Sequence, residues 1–166
     1  MIKQHNAGWV SCSTVLGAMF AFMLLTSVRA QAGSCQGPWG GPGGVSFSDP
    51  AVAGAQIQSI YMTWGSYVES VQMNMATGAL PVHGGSGPKT TSIGFSTGEY
   101  LTGITGQYGL YLDAVSFITN KKTYGPFGLP KAGLSSFSFN LAPGQTTIGF
   151  CGRAGKYIDA LGIIVQ

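Results

Sequence analysis

Charge is scarce in this chain: 8% of its 166 residues are Asp, Glu, Lys or Arg, with two histidines and three cysteines. There is no basic stripe, so nucleic acid and anionic membrane surfaces are poor partners. The carboxylates are Asp49, Glu69, Glu99, Asp113 and Asp159. Glycosidase chemistry generally needs two such groups ~5–10 Å apart, and three of these five belong to separate copies of a repeat described below. His83 is the only histidine after residue 32, in a Gly-rich stretch with no Asp nearby in sequence. A Ser-His-Asp arrangement therefore has no support, nor does a zinc site built from one His and two cysteines. No Asn-x-Ser/Thr sequon is present. After residue 32 no apolar run approaches the ~20 residues needed to span a bilayer.

What is present is apolar and glycine-rich. Hydrophobic residues make up 45% of the chain, aromatics 11%, and there are 27 glycines. A disordered chain would not carry so much apolar surface. Many glycines with few Glu, Lys and Arg give the profile of an all-β domain with many turns. Residues 1–32 stand apart: Lys3 and His5, an uncharged apolar run from Val15 to Leu25, then Val28-Arg29-Ala30 and Ala30-Gln31-Ala32 at cleavage-site spacing. This pattern predicts a secretory signal peptide that is removed, and an N-terminal membrane anchor is the alternative. Residues 33–166 form the expected domain. They carry Lys89, Lys121, Lys122, Lys131, Arg153 and Lys156 against the five acids, a balance near neutral. With Cys12 in the leader, Cys35 and Cys151 remain. An even pair in an exported protein points to one disulfide, for which chain entropy gives about 4–5 kcal/mol. Two unpaired buried thiols are the alternative.

An internal repeat organises the domain. Gly65-Ser66-Tyr67-Val68-Glu69-Ser70-Val71, Gly109-Leu110-Tyr111-Leu112-Asp113-Ala114-Val115 and Gly155-Lys156-Tyr157-Ile158-Asp159-Ala160-Leu161 align without gaps. Strand-like alternation surrounds them, with Ile60, Met62 and Trp64 before the first copy and Val71, Met73 and Met75 after it. Phe137, Phe139 and Leu141 alternate in the same way. Gly and Pro cluster at Gly37–Gly44, His83–Pro88 and Gly125–Gly133, which predicts loops. Three similar sheets sharing one core follow, since a single sheet has nothing to cover it.

Each corner gathers an acid, free backbone N–H groups and a tyrosine ring, a combination suited to a sugar. A carboxylate accepts hydrogen bonds from neighbouring hydroxyls at roughly 1.5–3 kcal/mol each. Glycine in a facing loop lets the backbone approach closely. The same residues also fit a plain scaffold: Asp in a turn bonds its own backbone, and Tyr67, Tyr111 and Tyr157 pack across strands.

The run Gly37-Pro38-Trp39-Gly40-Gly41-Pro42-Gly43-Gly44 and the stretch from Thr119 to Gly128, with the three corners, resemble the mannose-binding type of the jacalin-related lectins over residues 36 to 166. The resemblance implies a β-prism I of three four-stranded Greek-key antiparallel sheets with pseudo-threefold symmetry. It also implies binding of mannose- or glucose-containing glycans or glycoproteins, with no metal and no cofactor. It carries a main sugar site onto Gly44, Gly155, Lys156, Tyr157 and Asp159. A second, reduced site maps to Gly109, Tyr111 and Asp113, where Lys131 and Ala132 replace the family's glycines. A third, at Tyr67 and Glu69, is degenerate, because Glu replaces Asp and Pro88 removes an N–H. Useful strength would come from multivalency, through a second site or a homo-oligomer.

Overall fold

The computed structural model describes residues 33–51, 54 and 56–166, so the expected leader 1–32 lies outside the described residues. Thirteen strands follow one another: β1 (Ser34–Gly40), β2 (Val45–Ser48), β3 (Ile57–Trp64), β4 (Val68–Met75), β5 (Gly78–Ala79), β6 (His83–Gly84), β7 (Lys89–Gly94), β8 (Leu101–Tyr108), β9 (Leu112–Thr119), β10 (Thr123–Gly128), β11 (Ser135–Asn140), β12 (Thr147–Ala154) and β13 (Ile158–Val165). They form three antiparallel sheets in the orders β1-β13-β12-β2, β10-β9-β8-β11 and β5-β4-β3-β7. There is no helix among the described residues. Three sheets around one core are what the repeat predicted, and the all-β prism is what the resemblance implied.

Two details depart from the sequence reading. The outer strand of the β5-β4-β3-β7 sheet is split into β5 and β6, both paired to β4, which makes that sheet five-stranded. Leu80 N–H still bonds Met73 C=O at 2.9 Å, but Pro81 has no N–H to continue the ladder. The Gly/Pro clusters are also only partly loops. Gly37–Gly40 belongs to β1, His83–Gly84 to β6 and Gly125–Gly128 to β10. The register shifts between Gln36 and Trp39, and between Tyr124 and Phe127. An edge strand accommodates proline at such a bulge, where no ladder bond is required.

The core lies between the inner hairpins β3–β4, β8–β9 and β12–β13. Ile60, Met62, Val71 and Met73 meet Ile104, Leu112, Val115 and Phe117 and, from the last hairpin, Phe150, Ile158, Leu161 and Ile163, all fully buried. Phe117 and Phe150 touch across it at 6.0 Å between ring centroids. Each long edge of the prism is sealed by an aromatic contact. Trp39 stacks on Phe137 at 5.0 Å, Trp64 meets Phe127 edge-on at 5.9 Å, and Phe47 stacks on the His83 ring at 3.8 Å. Cys35 and Cys151 form a disulfide, closing 116 residues of chain and tying β1 to β12.

Candidate functional site

The three repeated segments are the turns that join the inner strand pairs, and they meet at one end of the prism. Each closes with the same bond, from glycine N–H to tyrosine C=O: Gly65 to Tyr67 at 2.9 Å, Gly109 to Tyr111 at 3.0 Å and Gly155 to Tyr157 at 2.9 Å. The tyrosine rings converge, with centroids 5.2 Å apart for Tyr67–Tyr111, 5.2 Å for Tyr67–Tyr157 and 5.0 Å for Tyr111–Tyr157. The rings therefore pack on one another, as the scaffold alternative anticipated, and each stays half-buried. The acid is the second residue of the strand that follows, next to a core residue (Val68, Leu112 or Ile158), and it is buried: Glu69, Asp113 and Asp159 are 5%, 3% and 4% exposed. A Gly-rich loop crosses each acid. Gly41, Gly85 and Leu129 donate N–H to the backbone C=O of Asp159, Glu69 and Asp113, each at 2.9 Å.

Beyond this shared frame the corners differ. At the last one the Asp159 carboxylate abuts Gly43 and Gly44. A Cβ on Gly43 would lie 2.3 Å from Asp159 Oδ1, and one on Gly44 2.4 Å from Oδ2. Gly44 also has φ +63°, a region that disfavours side chains. Gly155 faces the same oxygen, its own Cβ position 3.8 Å from Asp159 Oδ2 and 3.8 Å from Gly44 Cα. Arg153 pins this loop from behind, donating from Nε to Gly43 C=O at 2.6 Å and from Nη2 to Gly44 C=O at 2.7 Å. Among the described residues no protein donor bonds the Asp159 carboxylate, so its lone pairs are left for solvent or ligand. Lys156 is exposed, with its ammonium 5.4 Å from the centroid of the Tyr157 ring. The second loop borders the site, since Gly85 sits against the Lys156 carbonyl.

The middle corner is filled by its own chain. Lys131 Nζ bonds Asp113 Oδ1 at 2.7 Å and lies 4.4 Å from the centroid of the Tyr67 ring. Gly109 N–H takes Asp113 Oδ2 at 3.1 Å. The loop N–H of Lys131 is spent on Gln107 Oε1 at 3.0 Å. The bond to Asp113 holds the Lys131 ammonium above the usual lysine range. Lys131 thus takes up the Asp113 carboxylate with the chain's own cation.

At the first corner Glu69 folds beneath its loop. Gly87 leaves no room for a side chain, since a Cβ there would lie 2.5 Å from Glu69 Oε2. Pro88 closes on Gly65, at 2.9 Å from the corresponding Cβ position. Gly87 N–H is taken by Thr63 Oγ1 at 3.1 Å. Glu69 Oε2 is buried with no hydrogen-bond partner, and burial raises its carboxyl above the usual range despite backbone N–H groups that lower it.

The two remaining acids are structural. Asp49 accepts from the backbone N–H of Phe150 at 2.8 Å and pairs with His83 Nε2 at 2.7 Å. This link between two sheets joins residues far apart in sequence, and the sequence reading did not find it. Glu99 is bound by Ser96 N–H at 3.0 Å, with hydroxyls of Ser96, Thr119 and Tyr124. The backbone bond foremost, then these hydroxyls, lower its pKa to about 2. Glu99 lines a hollow of about 590 Å³, with Phe95 and the first residues of β3, β8 and β12. That hollow lies at the opposite end from the corners, about 25 Å away along eight-residue strands, and none of the repeated residues reaches it. No cluster of His, Cys, Asp or Glu among the described residues could hold a metal ion. No helix among them is long and apolar enough to cross a membrane.

This frame of three sheets and glycine-crossed corners agrees with a known family: the jacalin-like lectin domain matches residues 36–164. The chain belongs to the jacalin-like lectin domain family. Over 145 residues this jacalin-like domain is 41% identical to a mannose/glucose-specific lectin of Parkia platycephala, covering 78% of the chain and 31% of that lectin. The domain thus spans about a third of that relative's length. It is 36% identical over 143 residues to the jacalin-related lectin Calsepa of Calystegia sepium, covering 76% of the chain and 90% of Calsepa. Among solved structures, a mannose-specific jacalin-related lectin from Morus nigra in complex with mannose superposes with a TM-score of 0.72. That pair is 28% identical, covering 84% of the chain and 98% of the Morus protein.

Proposed function

We propose that this jacalin-like domain is a secreted lectin that binds mannose- or glucose-type glycans reversibly, at one open site made by Gly44, Gly155, Lys156, Tyr157 and Asp159. The observation that carries this reading is the contrast in the acids. Asp159 is held against glycine backbone with its oxygens unbonded, whereas Asp113 is taken by Lys131. A sugar offers adjacent hydroxyls that donate to such a carboxylate and accept from neighbouring N–H groups. Recognition needs no metal, cofactor or bond cleavage, and no second carboxylate stands ready for hydrolysis, since the other four are bonded or covered. The relatives described as mannose/glucose-specific support the ligand class. The leader-like residues 1–32 and the disulfide support secretion.

A shallow single site binds in the millimolar range, roughly −4 kcal/mol, so avidity comes from a homo-oligomer or a multivalent surface. The two closed corners favour a second reading, a β-prism that recognises protein and has lost sugar binding. Calorimetric titration with methyl α-mannoside, methyl α-glucoside and methyl α-galactoside separates them. The lectin reading expects one molecule of the first two bound per chain and none by Asp159→Ala. A folded protein that answers none of the three sugars supports the second reading.

A further inference from the structure

The residue two places ahead of each corner glycine reaches the loop that crosses that corner, and its polarity inverts at the last one. Thr63 accepts the N–H of Gly87 at 3.1 Å, and Gln107 accepts the N–H of Lys131 at 3.0 Å. Gly43 is the equivalent loop position, each of the three lying three residues beyond the glycine that crosses the acid (Gly40, Gly84, Gly128). There Arg153, which has donors only, takes the carbonyls of Gly43 and Gly44 at 2.6 Å and 2.7 Å. Among the described residues neither the Gly43 nor the Gly44 N–H donates to a protein acceptor. A trans peptide sets its C=O and N–H on opposite sides. Drawing the Gly43 carbonyl onto the guanidinium therefore turns the Gly44 N–H away from it.

We propose that Arg153 is the positioning residue of the sugar site: by taking the loop's carbonyls it leaves the Gly43 and Gly44 N–H groups as free donors beside the Asp159 carboxylate. At the other two corners an acceptor side chain consumes the matching N–H, so donor and acceptor are never both free. The last corner alone offers an acceptor and a donor side by side, which suits a hexopyranose presenting vicinal hydroxyls. The fixed fork of a guanidinium holds two adjacent carbonyls at once, and a lysine ammonium does so less rigidly. The consequence for binding rests on the sugar-binding reading above; the loop geometry does not.

Arg153→Gln gives the last corner the side-chain type of the middle one, with Arg153→Lys as the conservative variant. Two quantities are measured by NMR on ¹⁵N-labelled protein: amide hydrogen exchange of Gly43 and Gly44 without ligand, and affinity for methyl α-mannoside. Arg153→Gln is expected to keep a dispersed spectrum, to slow exchange at Gly43, and to weaken affinity about tenfold or more. Arg153→Lys falls between it and the wild type. Asp159→Ala loses binding while Gly43 and Gly44 exchange as in the wild type. Unchanged exchange in both Arg153 variants, or full affinity in Arg153→Gln, overturns the proposal. A wild type that ignores the sugar while Gly43 exchange still responds to Arg153→Gln refutes the lectin reading and upholds the positioning role.

Discussion

The middle and last corners carry the same glycine, tyrosine and aspartate on the same turn, with the acid equally buried, yet one is closed and the other open. At the middle corner every polar group the motif presents is bonded internally, the carboxylate to Lys131 and Gly109, the loop N–H to Gln107. At the last corner the loop is fixed through its carbonyls, and the Asp159 carboxylate and the Gly43 and Gly44 N–H groups have no protein partner among the described residues. The motif supplies the frame. What the facing loop and the residue behind it do decides whether the frame can receive anything. An unsatisfied buried acid is costly, and the two corners meet that cost differently, one with an internal cation and the other with access for solvent or ligand.

The sharpest way to break the contrast is to close the open corner. Gly44→Ala would place a Cβ 2.4 Å from Asp159 Oδ2 and 2.6 Å from the backbone carbon of Ala154, at a φ of +63°. Methyl α-mannoside binding should fall below detection by calorimetry, with a stability loss of about 1–3 kcal/mol in denaturant unfolding. A smaller effect comes from unlocking the middle corner. Lys131→Met leaves Asp113 buried without its cation, and because Lys131 is 39% exposed the pair is only partly shielded from water. Denaturant unfolding should show a lowered midpoint, an effect between those of surface and buried pairs. Affinity at the last corner should not change.

The smallest effect concerns the first corner. The folded-state pKa of Glu69 is raised by burial, so its contribution to stability is present at acid pH and is lost as pH rises through that raised value. Glu69→Gln removes the ionised form, and thermal melts should show a gain of up to about 1 kcal/mol at neutral pH. The gain should vanish below the ordinary glutamate range. A variant equally stabilised at both ends would contradict the burial argument.

The repeat made much of this legible. Three aligned corners and period-two alternation at Ile60, Met62, Val71 and Met73 were enough for three sheets around one core, because burial on one face of a strand is a local pattern. The even cysteine pair likewise pointed to the disulfide. Contacts between sheets left no such trace. His83 meets Asp49 across a prism edge, and nothing in the spacing of the two residues announces it. Lys131 was visible as a residue in place of glycine, but not as a cation reaching Asp113, since a long side chain's end point depends on the packed loop. The tyrosines looked like sugar platforms as much as packing groups, and only their convergence at one end shows them resting on one another. The signal for Arg153 did lie in the alignment: Thr63, Gln107 and Arg153 form one column, and its change from acceptor to donor marks the corner that differs.

The most direct test of one open corner among three is a ¹H–¹⁵N NMR titration of residues 33–166 with methyl α-mannoside, following reporters at every corner. The account predicts saturable shifts confined to Gly43, Gly44 and Gly155 through Asp159, with Gly109 through Asp113 and Gly65 through Glu69 unmoved beyond the tyrosine contacts. Saturable shifts of equal size around Asp113, or a folded protein with no shifts at any corner, would contradict it.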